Sequence, residues 1–240
     1  MSCKISAPRH ENGHTYVDIT TSGCLFDLDG TLMMSTPCVE AFWRDFGKEY
    51  GIDAEELLKT SHGRRTIDLF ELVKPEFATK KHSSDFEATI PKKYGHLSVI
   101  IPGVADFLQS LPTDRWGIVT SGCRVMAETW LTEYLGVKFP GVFITAEDID
   151  VGKPDPQGYL KGKKALDLAS DFVVFEDAHA GVKAGVDAGA TVIGMATTYD
   201  AKTVKGFGAS IVIPDMTHIK LTSYDATTKT LVLTITDPVA

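Results

Sequence analysis

The sequence lacks any apolar run of about 18 residues, the length that a membrane-spanning helix needs. Its first 22 residues also lack the apolar stretch of about 7–15 residues that marks a secretory signal. Lysine and arginine do not cluster, and the net charge is −8, whereas nucleic-acid binding needs a concentrated cationic face. We therefore expect a cytoplasmic protein with no membrane partner and no nucleic-acid partner.

The sequence is also poor in cysteine, with four in 240 residues. No two cysteines form a Cys-x-x-Cys pair, and none stands at metal-ligand spacing from a histidine. Free thiols are therefore expected. Internal repeats and low-complexity segments are absent as well, and the length is enough for one domain core with an insertion.

Two carboxylates stand close together in the segment Asp27-Leu28-Asp29-Gly30-Thr31, directly after the apolar run Cys24-Leu25-Phe26. Residues i and i+2 of an extended chain point to the same side, so Asp27 and Asp29 can face one cation. Gly30 lets the chain leave the strand in a tight turn. Taken alone, the segment is equally compatible with a strand followed by an acidic turn, because Asp and Gly are common turn residues.

Three later segments also carry side chains suited to chemistry. The first offers backbone N–H groups and hydroxyls to a phosphate, the second offers one lysine, and the third offers a carboxylate pair at the end of a buried-type strand. Taken singly, they are equally well explained as a strand-to-helix turn, a solvated loop lysine and helix-cap acids. Their residues are Thr120, Ser121 and Gly122 in the first, Lys153 in the second, and Glu176 and Asp177 in the third.

Apolar strands alternate with helical stretches over the second half of the chain, which is the pattern of parallel βαβ units. This pattern predicts an α/β fold with a doubly wound parallel sheet. Ligands of such sheets bind beyond the carboxyl ends of the strands, and all four segments fall there. The predicted strands are 23–27, 116–120, 142–145, 172–176 and 191–196, and the predicted helices are 103–111, 124–135, 157–169 and 179–189.

The region between the first segment and the strand at 116 has a helical pattern only. We expect a helical insertion over roughly 33–98, joined to the rest through hinges near 33–36 and 98–102. Its predicted elements are an amphipathic helix over 39–50, a capping box of Asp53 and Glu56, and helices at 66–73 and 84–94.

The chain ends in a different pattern. Two β-rich runs, 219–224 and 230–235, flank a polar turn and predict a C-terminal β-hairpin. We expect the hairpin to extend the edge of the sheet or to serve a contact. The stretch 15–21 is a candidate strand partner for it.

Taken together and in this order, the four segments resemble the four motifs of the haloacid-dehalogenase-like (HAD) hydrolases, from about residue 23 to 215. Segments 61–66, 119–122, 152–156 and 174–178 are similar to the fungal branch that dephosphorylates 2-deoxyglucose 6-phosphate or glycerol phosphate. The resemblance implies a Rossmannoid catalytic core made of residues 1–32 and 99–240 and a small helical cap at 33–98. One departure is His179, where those relatives usually have proline.

The resemblance also implies an Mg²⁺-dependent phosphatase that works through an aspartyl-phosphate. Asp27 would be the nucleophile, and Asp29 would be the general acid and base. Mg²⁺ would bind carboxylate oxygens of Asp27 and Asp177 and the backbone carbonyl of Asp29, with Glu176 giving water-mediated support. The residues that would bind the phosphoryl group or neutralise its charge are Thr120, Ser121 and Lys153.

Specificity would come from the cap. The family pattern places His62 and Arg65 over the active site, with Arg64 as the second choice between the two arginines. An arginine there could hydrogen-bond substrate hydroxyls or the phosphate. The alternative for His62 is a helix C-terminal residue ahead of Gly63, because glycine commonly ends helices.

The implied substrate is a small phosphorylated metabolite, either a sugar phosphate such as 2-deoxyglucose 6-phosphate or glycerol phosphate, and the implied enzyme is a monomer. A phosphosugar mutase would share every catalytic residue, so it stays open. A dehalogenase has no use for Asp29, and a phosphonate hydrolase needs a cap lysine that is not at the required position. A non-catalytic sugar-phosphate sensor would be expected to lack one of the catalytic residues, and all are present.

Overall fold

The computed structural model describes residues 3–137 and 139–240. Its strands, in chain order, are β1 (Lys4–Ile5), β2 (Arg9–Glu11), β3 (His14–Thr21), β4 (Gly23–Phe26), β5 (Met33–Met34), β6 (Val99–Ile100), β7 (Trp116–Val119), β8 (Val142–Ile144), β9 (Phe172–Glu176), β10 (Thr191–Met195), β11 (Ile211–Ile213), β12 (Ile219–Asp225) and β13 (Thr230–Thr236). Its α-helices are α1 (Thr36–Tyr50), α2 (Ala54–Ser61), α3 (Thr66–Val73), α4 (Lys80–Glu87), α5 (Ile90–Tyr94), α6 (Val104–Ser110), α7 (Arg124–Thr129), α8 (Gln157–Ala165), α9 (His179–Asp187) and α10 (Ala201–Gly206).

The centre of the fold is a six-stranded parallel sheet with the order β11-β10-β9-β4-β7-β8. The strands are apolar on both faces because helices cover both sides. On one face Phe26 stacks on Phe175 with 4.5 Å between ring centroids, and Phe107 of α6 packs edge-on against both. The other face packs against α8, α9 and α10. The predicted doubly wound α/β sheet is therefore confirmed.

The helices that flank this sheet begin within one residue of their predicted starts, but two of them differ from the prediction in their C-terminal parts. The predicted helix 124–135 is α-helical only through α7 and then continues as a π-helix, Trp130–Leu135. The predicted helix 157–169 ends at Ala165, and Asp167 then takes a positive φ of 52°. A residue in that backbone region cannot continue a right-handed helix.

The helices α1 to α5 form one segment between β5 and β6. Aromatic side chains of α1, including Trp43 and Phe46, are buried inside this segment. Asp53 caps α2 by accepting from the backbone N–H of Glu56 at 3.1 Å. The Glu56 carboxylate pairs with Lys59, so it does not complete the predicted capping box.

A second, antiparallel sheet carries the C-terminal hairpin. β12 and β13 form the predicted hairpin, and β13 pairs with β3, the candidate partner near 15–21. The expectation that the hairpin extends the parallel sheet is wrong, because it joins β1 and β3 in a separate sheet. The edge strand β11 of the parallel sheet is paired instead with the chain end, where Val212 N–H donates to the Ala240 carbonyl at 2.8 Å.

All four cysteines are free, as predicted, and all four are buried. Within the described part of the chain, none of the helices combines the length and apolarity needed to cross a membrane.

Candidate active site

The four sequence segments meet at one edge of the parallel sheet. Asp27 follows β4, Thr120 follows β7 and Asp177 follows β9, and these three strands are neighbours in the order β9-β4-β7. The pairing continues past the strand ends, because the Asp27 N–H donates to the Phe175 carbonyl at 3.1 Å. The carboxyl ends of parallel strands thus bring their first loop residues together, as expected for this class of sheet.

The turn after β4 depends on glycine. Gly30 has φ = +90°, and a Cβ there would lie 2.2 Å from an oxygen of Asp177. The Leu28 carbonyl accepts hydrogen bonds from the backbone N–H groups of Thr31, Leu32 and Met33, and these bonds close the turn. The Thr31 hydroxyl donates to Asp177 at 3.2 Å, so this turn also fixes the carboxylate that follows β9.

Lys153 joins two of the carboxylates. Its Nζ lies 2.6 Å from Asp27 Oδ1 and 2.6 Å from Glu176 Oε1, and all three side chains are buried. The Tyr159 hydroxyl donates to the same Glu176 oxygen at 2.7 Å. Burial lowers the pKa of Lys153, but the two carboxylates outweigh burial and hold the pKa above its usual value. Lys153 is therefore a fixed positive charge beside Asp27.

Glu176 is held from both sides. Its second oxygen, Oε2, accepts from the backbone N–H of Asp177 at 3.1 Å and lies 3.4 Å from that of Ala178. The carboxylate occupies the space over Gly181 of α9, where a Cβ would lie 1.7 Å from Glu176 Oε1. A glycine at this helix position is therefore required by the carboxylate above it. Both oxygens of Glu176 are used to position Lys153 and the loop after β9.

The carboxylates outnumber the positive charge beside them. Oxygen atoms of Asp27, Glu176 and Asp177 lie within 4.8 Å of one another. Burial raises the pKa of Asp27 well above its usual value despite the opposing Lys153, and it raises the pKa of Asp177 to about 7 with Glu176 acting in the same direction. Buried carboxylates at this spacing are stabilised by a cation with oxygen ligands. The residues present thus fit a divalent metal ion.

The Asp29 carboxyl points away from this cluster. Its Oδ1 accepts from the Ser35 hydroxyl at 2.5 Å, and its Oδ2 lies 3.5 Å from the Thr120 hydroxyl. Burial raises the pKa of Asp29, and the hydrogen bond from Ser35 opposes this. Thr120 in turn accepts the Gly122 N–H at 3.0 Å, which shapes the loop after β7.

The helical segment lies directly over these residues. A cavity with about 600 Å³ of empty space, including its open mouth, separates the two parts. The Ser121 hydroxyl donates across the boundary to the Gly63 carbonyl at 2.8 Å, and Thr36 contacts Thr198 at 3.1 Å. The side chains that line the cavity from the core include Asp27, Asp29, Thr120, Ser121 and Asp177, and those from the helical segment include Thr36, Trp43, His62, Arg64, Thr66 and Glu87.

This arrangement has an aspartate pair after the first core strand, a lysine paired with the first aspartate, and a helical segment above them. It agrees with a comparison to known families. The model of the family described as "haloacid dehalogenase-like hydrolase" matches residues 21–189. The chain belongs to the haloacid dehalogenase-like hydrolases.

Relatives within this family fall among phosphatases. The chain is 42% identical over 224 residues to glycerol-1-phosphate phosphohydrolase 2 of Saccharomyces cerevisiae, covering 88% of this chain and 89% of that protein. It is 37% identical over 219 residues to 2-deoxyglucose-6-phosphate phosphatase 1 of the same yeast, covering 82% and 89%. Among solved structures, a hydrolase from Pseudomonas syringae has a TM-score of 0.70 at 25% identity, covering 81% of this chain and 94% of that one.

The family motifs bring the core residues together, but the two candidate cap arginines separate. Arg65 turns away from the cavity: its guanidinium makes a two-pronged pair with Asp68, at 2.6 and 2.9 Å, and donates to the Ile149 carbonyl at 3.2 Å. Arg64 lines the cavity instead. Gly63, between His62 and Arg64, has φ = +78°, and this left-handed residue sets which of the following side chains faces inward.

Two positions were considered for His62 from the sequence, at a helix C-terminus and over the active site, and the structure is compatible with both. It is the C-terminal cap residue of α2, ahead of Gly63, and it also lines the cavity. Its Nε2 is 3.4 Å from Glu40, and its ring packs edge-on to Tyr199. Burial lowers the pKa of His62 below its usual value, and Glu40 opposes this.

His179, the departure from the fungal pattern, lies outside the cavity. It is the first residue of α9, it is exposed, and its ring packs against Phe207. This is the first helical turn, where proline is favoured and other residues are tolerated. The position therefore fits a surface replacement.

Several side chains at the site carried no motif. Tyr159 lies on α8, and no spacing in the sequence connects it with Glu176. Ser35 is at the start of α1, where serine is common as a cap residue. Glu87 has the clearest signal in hindsight, since Ser83 and Glu87 are four residues apart and share the buried face of α4.

Proposed function

We propose that the protein is an Mg²⁺-dependent phosphatase that hydrolyses small phosphate monoesters, either a sugar phosphate such as 2-deoxyglucose 6-phosphate or glycerol phosphate. The observation that carries the proposal is the buried pair of Asp27 and Lys153, 2.6 Å apart, of which Asp27 lines a cavity that the helical segment covers. The yeast relatives named above act on these two kinds of ester. Residues 33–98 are proposed to act as the cap and the rest as the catalytic core.

Asp27 is the proposed nucleophile. One of its oxygens attacks phosphorus, the bond from phosphorus to the alcohol oxygen breaks, and an aspartyl-phosphate forms. Lys153 holds Oδ1 of the carboxylate and offsets the negative charge of the phosphoryl group. The other oxygen of Asp27 is the one available for attack.

Asp29 is the proposed general acid and base. It gives a proton to the departing alcohol oxygen and then takes one from the water that attacks the aspartyl-phosphate, which regenerates Asp27 and releases phosphate. The hydrogen bond from Ser35 and the nearby Thr120 hydroxyl support this role because they orient the carboxyl on the cavity side.

Family members generally use a divalent metal ion, and Mg²⁺ is the one we propose here. The carboxylates of Asp27 and Asp177 and the backbone carbonyl of Asp29 are the proposed ligands, with Glu176 in support. When bound, Mg²⁺ offsets the negative charge on the carboxylates and the phosphoryl oxygens. The Thr31 hydroxyl, 3.2 Å from Asp177, orients this ligand.

Thr120 and the backbone N–H of Ser121 are proposed to bind phosphoryl oxygens, and cap residues to bind the organic part. His62 and Arg64 line the cavity from the cap, so we propose these two for substrate contact. For Arg65 we propose a role in holding the cap, because its donors are engaged by Asp68 and Ile149. We also propose that the protein is a monomer, that it acts in the cytoplasm and that its substrate is a small metabolite.

A phosphosugar mutase is the second candidate, since it would use the same core residues. A panel of phosphorylated sugars and polyols with Mg²⁺ separates the two. Free orthophosphate in amounts equal to the ester consumed supports the phosphatase, whereas an isomeric phosphate ester without orthophosphate supports the mutase. Binding of an ester with neither product would support a non-catalytic sensor and refute both enzymes.

A further inference from the structure

Glu87 is a buried carboxylate that the proposed chemistry does not use. It ends α4 in the cap, it is 4% exposed, and it lines the same cavity as Asp27 and Asp29. Its Oε2 accepts the backbone N–H of Cys123, which caps the start of α7 in the core. The Thr66 hydroxyl of the cap also donates to this carboxylate. A carboxylate can accept about four hydrogen bonds, so these contacts leave accepting capacity unused.

Trp43 supplies the complementary group. It lies on α1 of the cap, is 1% exposed and lines the same cavity. Its indole Nε1 is buried and has no hydrogen-bond partner. A buried donor without a partner is unfavourable, and such a group in a binding cavity calls for an explanation by a ligand.

We propose that Glu87 and Trp43 bind hydroxyl groups of the substrate, with the carboxylate as acceptor and the indole N–H as donor. The inference rests on the proposed phosphatase function and deepens it, because it defines the substrate class as phosphorylated polyols and sugars. A hydroxyl group is both donor and acceptor, so it matches this pair. A phosphate ester with a purely hydrocarbon group offers nothing to either side chain.

A purely structural role does not account for the carboxylate. Accepting one backbone N–H of Cys123 requires only a neutral oxygen, which glutamine has. Burial raises the pKa of Glu87 to about 7, although the Thr66 hydroxyl and the Cys123 N–H act against this, so the present contacts do not fully stabilise the charged form. A charged acceptor gains most from a hydroxyl donor that arrives with the substrate.

The test compares esters that differ only in hydroxyl groups. Glycerol 1-phosphate is paired with n-propyl phosphate, and 2-deoxyglucose 6-phosphate with (tetrahydropyran-2-yl)methyl phosphate, which keeps the ring oxygen. Each pair has a similar leaving group, so the ratio of kcat/KM within a pair reports hydroxyl recognition. The variants are Glu87→Gln and Trp43→Phe, and the matched control is Glu71→Gln, an exposed glutamate of the same cap.

The parent enzyme should prefer the hydroxylated member of at least one pair. Glu87→Gln should reduce that preference by roughly 3–10-fold, because glutamine still accepts a hydrogen bond but lacks the charge that about doubles its strength. Trp43→Phe should also reduce it by roughly 3–10-fold, the range expected for the loss of one neutral hydrogen bond. Glu71→Gln should leave the preference as it is in the parent. Phenylalanine keeps the aromatic packing of Trp43 and removes only the donor and part of the ring.

Equal losses on both members of each pair would overturn the inference, since they indicate that Glu87 only connects cap and core. A parent enzyme without preference would also overturn it while leaving the phosphatase proposal intact, provided that both esters release phosphate. Failure of the parent to release phosphate from any ester, p-nitrophenyl phosphate included, would refute the proposed function itself. If Glu87→Gln does not fold, Trp43→Phe and the parent ratios decide the question.

Discussion

Replacing Glu87 by glutamine should stabilise the protein at alkaline pH while impairing it as an enzyme. Burial raises the pKa of this carboxyl from 4.5 to about 7, and the carboxylate of Asp29 adds to the effect. Because the folded state holds the proton more tightly than the unfolded state, the associated stability is fully present below about pH 4.5. It is lost as the pH rises through about 7.

The shift of about 2.5 pKa units corresponds to about 3 kcal/mol of unfolding free energy. Glutamine is neutral at every pH, can accept the Cys123 N–H through its carbonyl oxygen and can donate to the Thr66 hydroxyl. The advantage of Glu87→Gln over the parent should therefore be about 1 kcal/mol at pH 5 and reach about 3 kcal/mol at pH 8. For a chain of this length, this is roughly 6–12 °C in Tm.

Urea unfolding at pH 5, 6, 7 and 8, followed by circular dichroism, measures the difference directly. Glu71→Gln, on the exposed side of α3, is the control and should follow the parent at every pH. Parallel curves for the parent and Glu87→Gln would refute the reasoning, as would a variant that is less stable than the parent at pH 8. A stabilised but impaired variant would show that a functional requirement keeps the carboxylate in place.

Three further predictions concern the proposed chemistry and the cap. Asp27→Asn should abolish phosphate release because the attacking carboxylate is gone, whereas Asp29→Asn should lower kcat by about 10²–10⁴-fold with little change in KM; single-turnover assays with glycerol phosphate check both. Chelation should stop turnover, Mg²⁺ should restore it, and Ca²⁺ should inhibit because its longer bonds and larger ligand number misplace Asp27; full activity in EDTA would contradict the metal assignment. Arg65→Ala should lower the unfolding free energy by about 1–3 kcal/mol, because it leaves the partly exposed Asp68 unpaired. Arg64→Ala should instead lower kcat/KM on sugar or glycerol phosphate with little change in Tm, and the reverse result would return the substrate role to Arg65.

The core of the fold could be predicted because its signals are local. Each predicted strand of the parallel sheet lies within one residue of an observed strand, since a buried strand is a short apolar run with a clear end. The motifs at those ends meet because parallel strands finish on the same side of the sheet. Only β11, three residues long, escaped prediction in that sheet.

The parts that escaped prediction depend on long-range geometry. The sequence Arg64-Arg65 does not tell which guanidinium faces the substrate, because the answer depends on the backbone at Gly63 and on the positions of Asp68 and Ile149. The hairpin and its candidate partner at 15–21 were predicted, but the separate sheet that they form with β1 was not, because strand patterns do not tell which sheet a strand joins. Contacts between residues 126 positions apart, such as that of Lys153 with Asp27, come from topology rather than from a local pattern.

The two connections between core and cap lie side by side. β5 and β6 pair antiparallel, with Met33 opposite Ile100, so both crossings share one line of hydrogen bonds. The two chain connections of the cap lie along a single line, so rotation about that line would move the cap off the core once its other contacts, such as Glu87 with Cys123, are broken. Ser35, next to that line, holds the Asp29 carboxyl. Because Ser35 adjoins the hinge and also holds Asp29, such a rotation would move the hydrogen-bond partner of the proposed general acid. Entry of the substrate would then be coupled to alignment of the Asp29 carboxyl.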